Sequence, residues 1–216
     1  MPEDDSKNSR RDPNKIEVLT YVQSVRQRPQ MYVGSTDEQG LCELVYLAML
    51  EAVEGIDIKR NVPLAGDRAS RIEVTLHADN SVTVADNGRG LPVEECKDNA
   101  ERVPEVQRIL TTGYVPAWNG AATVNALSQQ FDVTIWRDGH NWEQSYRQGE
   151  PISELRRTGD NEKHGTSMHF RPDQSIFSVS RYDVDRLAQT LNKFRSKYRD
   201  VVVTLRDERE RQSRSN

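Results

Sequence analysis

The alternation of apolar and polar residues around Asp79–Asn80 is the strongest sequence constraint on the fold of this chain. In the segment RIEVTLHADNSVTVADNG, residues 71–88, the apolar positions recur at every second residue: Ile72, Val74, Leu76, Val82 and Val84. Alternate side chains of an extended strand point to the same face, and an Asp–Asn pair favours a tight turn. The segment is therefore predicted to form a β-hairpin with one buried face.

Other segments predict further strands and helices. FDVTIWRDG (131–139) and NWEQSYRQG (141–149) are strands separated by Asp138–Gly139, a strong hairpin signal. Strands are also predicted at 165–173 and 201–208, and helices at 16–28, 40–53, 103–110, 121–128 and 184–198, the last with apolar positions that begin at Val184. Because these elements do not alternate strictly as βαβ units, we expect an α+β fold. Its architecture should be a two-layer sandwich in which helices cover one mixed, mostly antiparallel sheet.

The composition is typical of a single globular domain with a heavily charged surface. Apolar residues make up 35% and charged residues 30% of the 216 residues, and the formal net charge is −4. Non-specific binding to nucleic-acid phosphates requires clustered basic residues, so direct DNA binding is not expected. No apolar run approaches the about 20 residues that cross a bilayer, so we expect no membrane contact and a cytoplasmic location.

The two ends of the chain differ from the segment between them. Residues 1–14 and 208–216 are almost entirely polar or charged, which predicts a disordered N-terminal arm and a disordered tail around one domain at residues 15–207. Cys42 and Cys96 lie in unlike settings, and no pair among the four histidines has metal-ligand spacing. Neither a disulfide nor a zinc site is predicted.

Four segments of the chain together resemble a known family. They are RQRPQMYVGSTDEQGL (26–41), LHADNSVTVADNGRGLP (76–92), VNALSQ (124–129) and KHGTSMHFRPD (163–173). Their order and spacing are similar to those of the N-terminal ATP-binding domain of DNA gyrase B and topoisomerase IV, members of the GHKL group. Four ordered matches are more specific than one short glycine motif. The resemblance implies the GHKL ATPase fold and a site for ATP or ADP at residues 15–207.

The resemblance assigns the base-binding part of this site to Asp86 and Thr166. Asp86 matches the acid that accepts a hydrogen bond from the adenine amino group, and a carboxylate, which only accepts, suits that donor. Thr166 matches a threonine that shares a water with this acid and the adenine. Without the wider resemblance, Asp86–Asn87–Gly88 could be a simple turn after a strand and Thr166 an ordinary strand residue.

Five further positions match the family around the same pocket. Gly88 and Gly90 would let the backbone approach a flat ring, because neither carries a Cβ atom. Arg89 and Pro92 match residues that cover the adenine edge. Arg137 matches an arginine at the pocket mouth that the family uses mostly toward inhibitors, although a solvated arginine is an alternative.

The predicted helix 40–53 departs from the family at two functional positions. Leu47 stands where the family has the glutamate that activates water, and leucine cannot accept a proton. Glu51 stands where the family has a magnesium-binding asparagine. Its carboxylate could bind Mg²⁺, although it would add negative charge beside a triphosphate. The family's salt-bridge partner for its arginine falls at Gly55, next to Glu54.

The segment that should cover the phosphates is also altered. LTTGYVPAWNGAATVNALS (110–128) is shorter than the family's glycine-rich lid and has no lysine. Gly120 is retained at the start of a helix whose amides hold phosphates in the family. In the N-terminal arm, the position of the family's tyrosine falls near Arg11. These departures predict weak phosphate recognition and argue against ATP-driven dimer closure.

Three functions remain open at this point. The first is an adenine-nucleotide-binding module without hydrolysis, which would regulate or accompany a gyrase or topoisomerase subunit or another protein. The second is a working ATPase domain of a type II topoisomerase. The third is a scaffold without nucleotide, or a decoy for aminocoumarin-type inhibitors. The decoy is suggested because the retained residues overlap the family's inhibitor contacts, although the lost asparagine also contacts these inhibitors.

Overall fold

A computed structural model of the protein describes residues 18–54, 56–57, 62–63, 68–96, 102–113 and 120–209. Some sequence predictions lie outside these residues: the arm at 1–14, Ile16, Gly55, most of the tail at 208–216 and the lid segment 114–119. The remaining predictions can be compared with the structure.

The described residues include six helices. They are α1 (Tyr21–Gln27), α2 (Gln30–Val33), α3 (Glu38–Glu54), α4 (Glu105–Thr112), α5 (Gly120–Ala126) and α6 (Val184–Lys197). Helix α1 starts at Tyr21 because Thr20 and Gln23 form a capping box, in which each side chain accepts a hydrogen bond from the backbone N–H of the other residue. The predicted helical position Leu19 therefore precedes the helix.

The described residues also include ten strands. They are β1 (Ile56–Asp57), β2 (Val62–Pro63), β3 (Arg71–Leu76), β4 (Val82–Asp86), β5 (Ser128–Arg137), β6 (His140–Arg147), β7 (Glu150–Pro151), β8 (Arg156–Asp160), β9 (Gly165–Pro172) and β10 (Val202–Asp207). Strands β1 and β2 pair with each other. The other eight form one sheet in the order β10-β3-β4-β9-β5-β6-β7, with β8 also paired to β6.

The eight-stranded sheet confirms the predicted fold class. Strand β10 runs parallel to β3, whereas the other pairs in this sheet are antiparallel. The hairpin β3–β4 has the predicted register, since Val74 lies opposite Val84 and Leu76 opposite Val82. The turn between β5 and β6 falls at Asp138–Gly139, where both residues have positive φ, 52° and 81°.

The core lies between the sheet and the helices packed on it. Helix α3 contacts β3, β4 and β9 as well as α5 and α6, so it is the central helix of this layer. Its buried residues include Leu41, Leu44, Val45, Ala48, Met49 and Val53. The largest fully buried side chains elsewhere are Phe131, Tyr146, Phe170 and Phe194. Among the described helices, none has the length and apolar character needed to cross a membrane.

Further details of the structure differ from the sequence predictions, which also did not include α2, β1, β2 and β7. Strand β8 was not predicted, because its residues RRTGD are mostly exposed and do not alternate in polarity. Helix α5 ends at Ala126, before the predicted Ser128, because Ser128 already pairs with Pro172 in the sheet. Val184 was predicted as a core position of α6 but is 38% exposed, since it is the first residue after the N-cap Asp183.

Candidate functional site

The residues predicted to bind the adenine lie at the C-terminal end of β4. This end is next to β9, and α3 packs on it. Asp86 is the last residue of β4, and Gly165 and Thr166 begin the neighbouring strand β9. Helix α3 packs on β4 and on α5, which brings Glu51 and the first residues of α5 to the same place. The second and fourth matching segments therefore meet here, together with the C-terminal part of α3 and the start of α5.

Asp86 is a partly buried carboxylate held by backbone donors. Burial raises its pKa to about 6, although hydrogen bonds from the backbone N–H groups of Gly88 and Thr166 and the charge of His164 act in the opposite direction. The Gly88 nitrogen lies 2.7 Å from Asp86 Oδ1. These donors fix the orientation of the carboxylate, which can then accept a further hydrogen bond from a ligand amine.

Two glycines permit the close packing of backbone around Asp86. At Gly165, φ is +129°, and a Cβ atom there would lie 2.0 Å from the Asp86 carbonyl oxygen. At Gly90, φ is +80°, and a Cβ would lie 2.8 Å from the carbonyl oxygen of Trp136 and 2.9 Å from that of Gly165. Gly90 is therefore required by the fold itself, apart from any contact with a ring. Gly165, which follows His164 in the fourth matching segment, was not singled out from the sequence.

Thr166 connects the loop after β4 to the sheet. Its side-chain oxygen accepts a hydrogen bond from the backbone N–H of Leu91 at 3.1 Å, and the residue is only 3% exposed. Its own backbone N–H faces the Asp86 carboxylate. Thr166 thus has a specific position in the site, beyond that of an ordinary strand residue.

Arg137 is buried and holds the same loop from the end of β5. Its Nη1 donates to the Gly90 carbonyl oxygen at 2.8 Å, and its Nη2 lies 3.4 Å from Glu94 Oε1. Its Nε lies 3.3 Å from Asp138 Oδ2. Because the residue is only 7% exposed, the alternative of a solvated arginine is wrong. The guanidinium of Arg137 thus already donates hydrogen bonds to acceptors of the protein itself.

Glu51 lies beside Asp86 and at the start of α5. Burial raises the pKa of Glu51 to about 7, and the negative charge of Asp86 contributes to this increase. A hydrogen bond from the backbone N–H of Ala121 has the opposite effect on its pKa. The two carboxyl groups therefore lie close enough to interact, and the Glu51 carboxylate accepts a hydrogen bond from a backbone N–H in the first turn of α5.

Leu47 lies one turn before Glu51, where α5 begins against α3. A Cβ atom on Gly120 would lie 2.8 Å from the Leu47 carbonyl oxygen, so the two helices can approach here only because residue 120 is glycine. The Leu47 side chain packs on the core and is partly buried. The predicted loss of a proton acceptor thus falls at the junction of α3 with α5.

His164 is a neighbour of Asp86 that sequence reasoning did not single out. Its Nδ1 lies 3.0 Å from the carbonyl oxygens of both Asn87 and Gly88, so this nitrogen carries a proton. The electrostatic interaction with His164 lowers the pKa of Asp86. The signal for it was its place next to Gly165 and Thr166 in the fourth matching segment.

The remaining positions named from the sequence lie on the loop after β4 and at the end of α3. Arg89 is exposed and Pro92 partly buried, both on the loop that Arg137 holds. Glu54 points to α6, where its carboxylate accepts hydrogen bonds from Tyr198 and Lys197. In the described part of the chain, no group of three or more His, Cys, Asp and Glu side chains could hold a metal ion. A metal at Glu51 would need further oxygen ligands from a bound molecule.

Comparison with known proteins identifies a family that matches most of the chain. The family described as "Histidine kinase-, DNA gyrase B-, and HSP90-like ATPase" matches residues 36–176. The chain is 38% identical to the DNA gyrase B protein of Clostridium acetobutylicum over 94% of this chain and 32% of that protein. It is 37% identical to the DNA topoisomerase 4 B protein of Bacillus subtilis over 90% of this chain and 30% of that protein.

A further relative is named for resistance to an inhibitor. The novobiocin-resistant DNA gyrase B protein of Streptomyces niveus is 38% identical over 92% of this chain and 30% of that protein. The chain thus spans about a third of the length of the curated relatives that it matches.

Proposed function

Because this chain belongs to the family of histidine kinase-, DNA gyrase B- and HSP90-like ATPases, we propose that it is a gyrase-B-like domain that binds adenine compounds but hydrolyses ATP poorly or not at all. The binding part of the proposal rests on Asp86. Its carboxylate is oriented by Gly88 and Thr166, and it can accept a hydrogen bond from the adenine amino group.

The observation that carries the loss of hydrolysis is the position of Leu47. It lies on α3 where α5 begins, one turn before Glu51. A hydrocarbon side chain cannot remove a proton from an attacking water, which typically costs a factor of about 10² to 10⁴ in rate. General-base catalysis by this residue is therefore lost.

A second candidate is an ATPase in which Glu51 acts as the base. Its pKa of about 7 is suitable for a general base at neutral pH. However, Glu51 interacts with Asp86, the proposed anchor of the adenine, whereas an attacking water must reach the third phosphate at the other end of ATP. This position favours the non-hydrolysing function over the second candidate.

The relatives also suggest a partner for this chain. Because it is similar to gyrase B and topoisomerase 4 B proteins, we propose that it acts as a regulatory or partner module for a protein of this kind. Glu51 is the residue that would hold Mg²⁺, with oxygens of a bound molecule or of water completing its coordination. The ion would supply positive charge beside Glu51 and Asp86.

Calorimetric titration together with a phosphate-release assay tests the proposal. We expect adenosine, ADP or ATP to bind with a dissociation constant of about 10 μM to 1 mM. ATP turnover should stay at background. Asp86→Asn should abolish binding, because an amide presents an N–H group as well as an acceptor to the adenine amine. Asp132→Asn, on β5 outside the site, is the matched control and should bind like the wild type.

Two results would contradict this proposal. ATP turnover that disappears in Glu51→Gln would establish the ATPase instead. A lack of binding by all three compounds, with Asp86→Asn and the wild type behaving alike, would favour the scaffold function.

A further inference from the structure

Two peptide groups of the loop after β4 are each held at both ends. In the first, which joins Asn87 to Gly88, the N–H donates to Asp86 Oδ1, with 2.7 Å between nitrogen and oxygen. The carbonyl oxygen of the same peptide lies 3.0 Å from His164 Nδ1. A trans peptide group is planar, and its N–H and C=O point in opposite directions. A donor that fixes the carbonyl therefore also fixes the direction of the N–H.

The second peptide group joins Gly90 to Leu91 and is held in the same way by other residues. Arg137 Nη1 donates to the Gly90 carbonyl oxygen at 2.8 Å. The N–H of this peptide, on Leu91, donates to Thr166 Oγ1 at 3.1 Å. Arg137 and Thr166 are among the residues that the resemblance assigns to the pocket. His164 makes the equivalent contact to the first peptide, although the resemblance assigns no role to it.

The backbone beside His164 keeps its ring next to the loop. Gly165, the next residue, lies so close to Asp86 that a Cβ atom would be 2.0 Å from the Asp86 carbonyl oxygen. His164 Nδ1 also lies 3.0 Å from the Gly88 carbonyl oxygen, so its N–H is shared between two successive carbonyls. The imidazole is therefore placed to hold the direction of the peptide that faces Asp86.

From these contacts we infer that His164 is a positioning residue for the Asp86 carboxylate. Its Nδ1–H orients the peptide before Gly88, and the Gly88 N–H in turn holds Asp86 where it can accept from the amino group of an adenine. Hydrogen bonds in series polarise one another, so donation by His164 also strengthens the Gly88 N–H as a donor. The effect on a ligand rests on the proposed function, whereas the effect on Asp86 is present in the free protein.

The titration of Asp86 in the free protein, followed by NMR of its carboxyl carbon, tests the inference without a ligand. Burial raises the pKa of Asp86 to about 6, and the Gly88 hydrogen bond opposes this increase. His164→Ala weakens that hydrogen bond and should raise the titration midpoint by at least about 0.5 pH unit. His164→Asn should restore most of the difference, because an amide Nδ2 can donate from nearly the same place. Neither replacement is charged, so the comparison isolates the hydrogen bond.

His77→Ala is the matched control for these titrations. His77 follows β3 at the end away from Asp86, where its ring contacts Thr83 and Glu208. Its removal should leave the Asp86 midpoint unchanged. The inference is overturned if His164→Ala titrates like the wild type, or if His164→Asn titrates like His164→Ala.

Calorimetric titration with adenosine at pH 8, where Asp86 is ionised, measures the consequence for binding. The dissociation constant should rise about tenfold in His164→Ala and stay within about threefold of the wild type in His164→Asn. Asn87 Oδ1 accepts from the backbone N–H groups of Ser70 and Arg71, so the loop should stay folded in both variants. Equal affinities of wild type and His164→Ala would also overturn the inference. If the wild type does not bind adenosine, the proposed function fails, and the Asp86 midpoints still decide the role of His164.

Discussion

The Arg26 guanidinium on α1 donates to the Asp173 carboxylate just after β9, with 2.7 Å between Nη2 and Oδ2. Arg26 also donates to the Ala126 carbonyl oxygen at 2.7 Å. Gln148, after β6, is a second donor to Asp173 Oδ2, at 2.9 Å. One carboxylate thus connects α1, the β6–β7 turn and the end of β9.

Asp173 should make the fold sensitive to acid. Burial opposes its ionisation, but hydrogen bonds from Arg26, Ser175 and Gln148 outweigh this effect and lower its pKa from 3.8 to about 2. A lowered folded-state pKa stabilises the fold above the ordinary value, and this contribution is lost as the pH falls from about 4 toward 2. Urea unfolding from pH 7 to pH 3 measures it.

Asp173→Asn should remove this contribution. We expect the free energy of unfolding at pH 7 to fall by about 2 kcal/mol, with a smaller difference from wild type at pH 3. Asp200→Asn, at an exposed position in the turn before β10, is the control and should change stability by less than about 0.5 kcal/mol. Equal effects of the two variants would contradict the role of Asp173.

Gly90 should tolerate a side chain less well than Gly139. Both have a positive φ, 80° and 81°, so alanine at either position costs about 1 kcal/mol in backbone strain. A Cβ at Gly139 meets nothing within 4 Å, whereas one at Gly90 meets two carbonyl oxygens at under 3 Å. Gly90→Ala should therefore lose at least about 2 kcal/mol more than Gly139→Ala in urea unfolding. If both variants lose a similar amount of unfolding free energy, the loop that contains Gly90 can move away from the added methyl group.

Arg137 should contribute to stability rather than only to binding. Arg137→Gln leaves the partly buried Gly90 carbonyl without a charged donor, which should lower the free energy of unfolding by about 2 kcal/mol. Arg206→Gln, whose side chain is 53% exposed, should be nearly neutral. If Arg137→Gln unfolds at the same temperature as the wild type, the hydrogen bond to Gly90 makes no net contribution to the free energy of unfolding.

Novobiocin should bind weakly, with a dissociation constant above about 0.1 mM. The resemblance assigns inhibitor contacts to Arg137 and to the asparagine that Glu51 replaces, and Arg137 already donates to Gly90. Glu51→Asn restores the amide and should strengthen novobiocin binding about tenfold in calorimetry, whereas Glu43→Gln should not. Tight binding by the wild type, unchanged in Glu51→Asn, would support an inhibitor-binding decoy.

Local sequence signals predicted the hairpins well, because their geometry depends on a few neighbouring residues. Asp138–Gly139 has the positive φ angles that such a pair favours, and Asn80 has φ of 65° in the first hairpin. Strand β8 could not be predicted in this way. Its pairing with β6 includes a register shift, and its exposed side chains leave no alternating pattern.

The site was predictable only in part from the sequence. The resemblance selected Asp86, Gly90 and Thr166, and the structure brings these three together. The proximity of Glu51 to Asp86 depends on how α3 packs on β4, which a sequence pattern does not contain. The burial of Arg137 likewise depends on the loop that folds over it.

The parallel pairing of β10 with β3 has a consequence for synthesis of the protein on the ribosome. Arg71 lies opposite Val202, and Leu76 opposite Asp207, so β3 emerges long before its outer partner exists. Until β10 is translated, the nascent sheet presents an open edge to other chains. A transcript truncated before Val202 would therefore yield a polypeptide prone to aggregation, and a chaperone that covers β3 would be most useful during this interval.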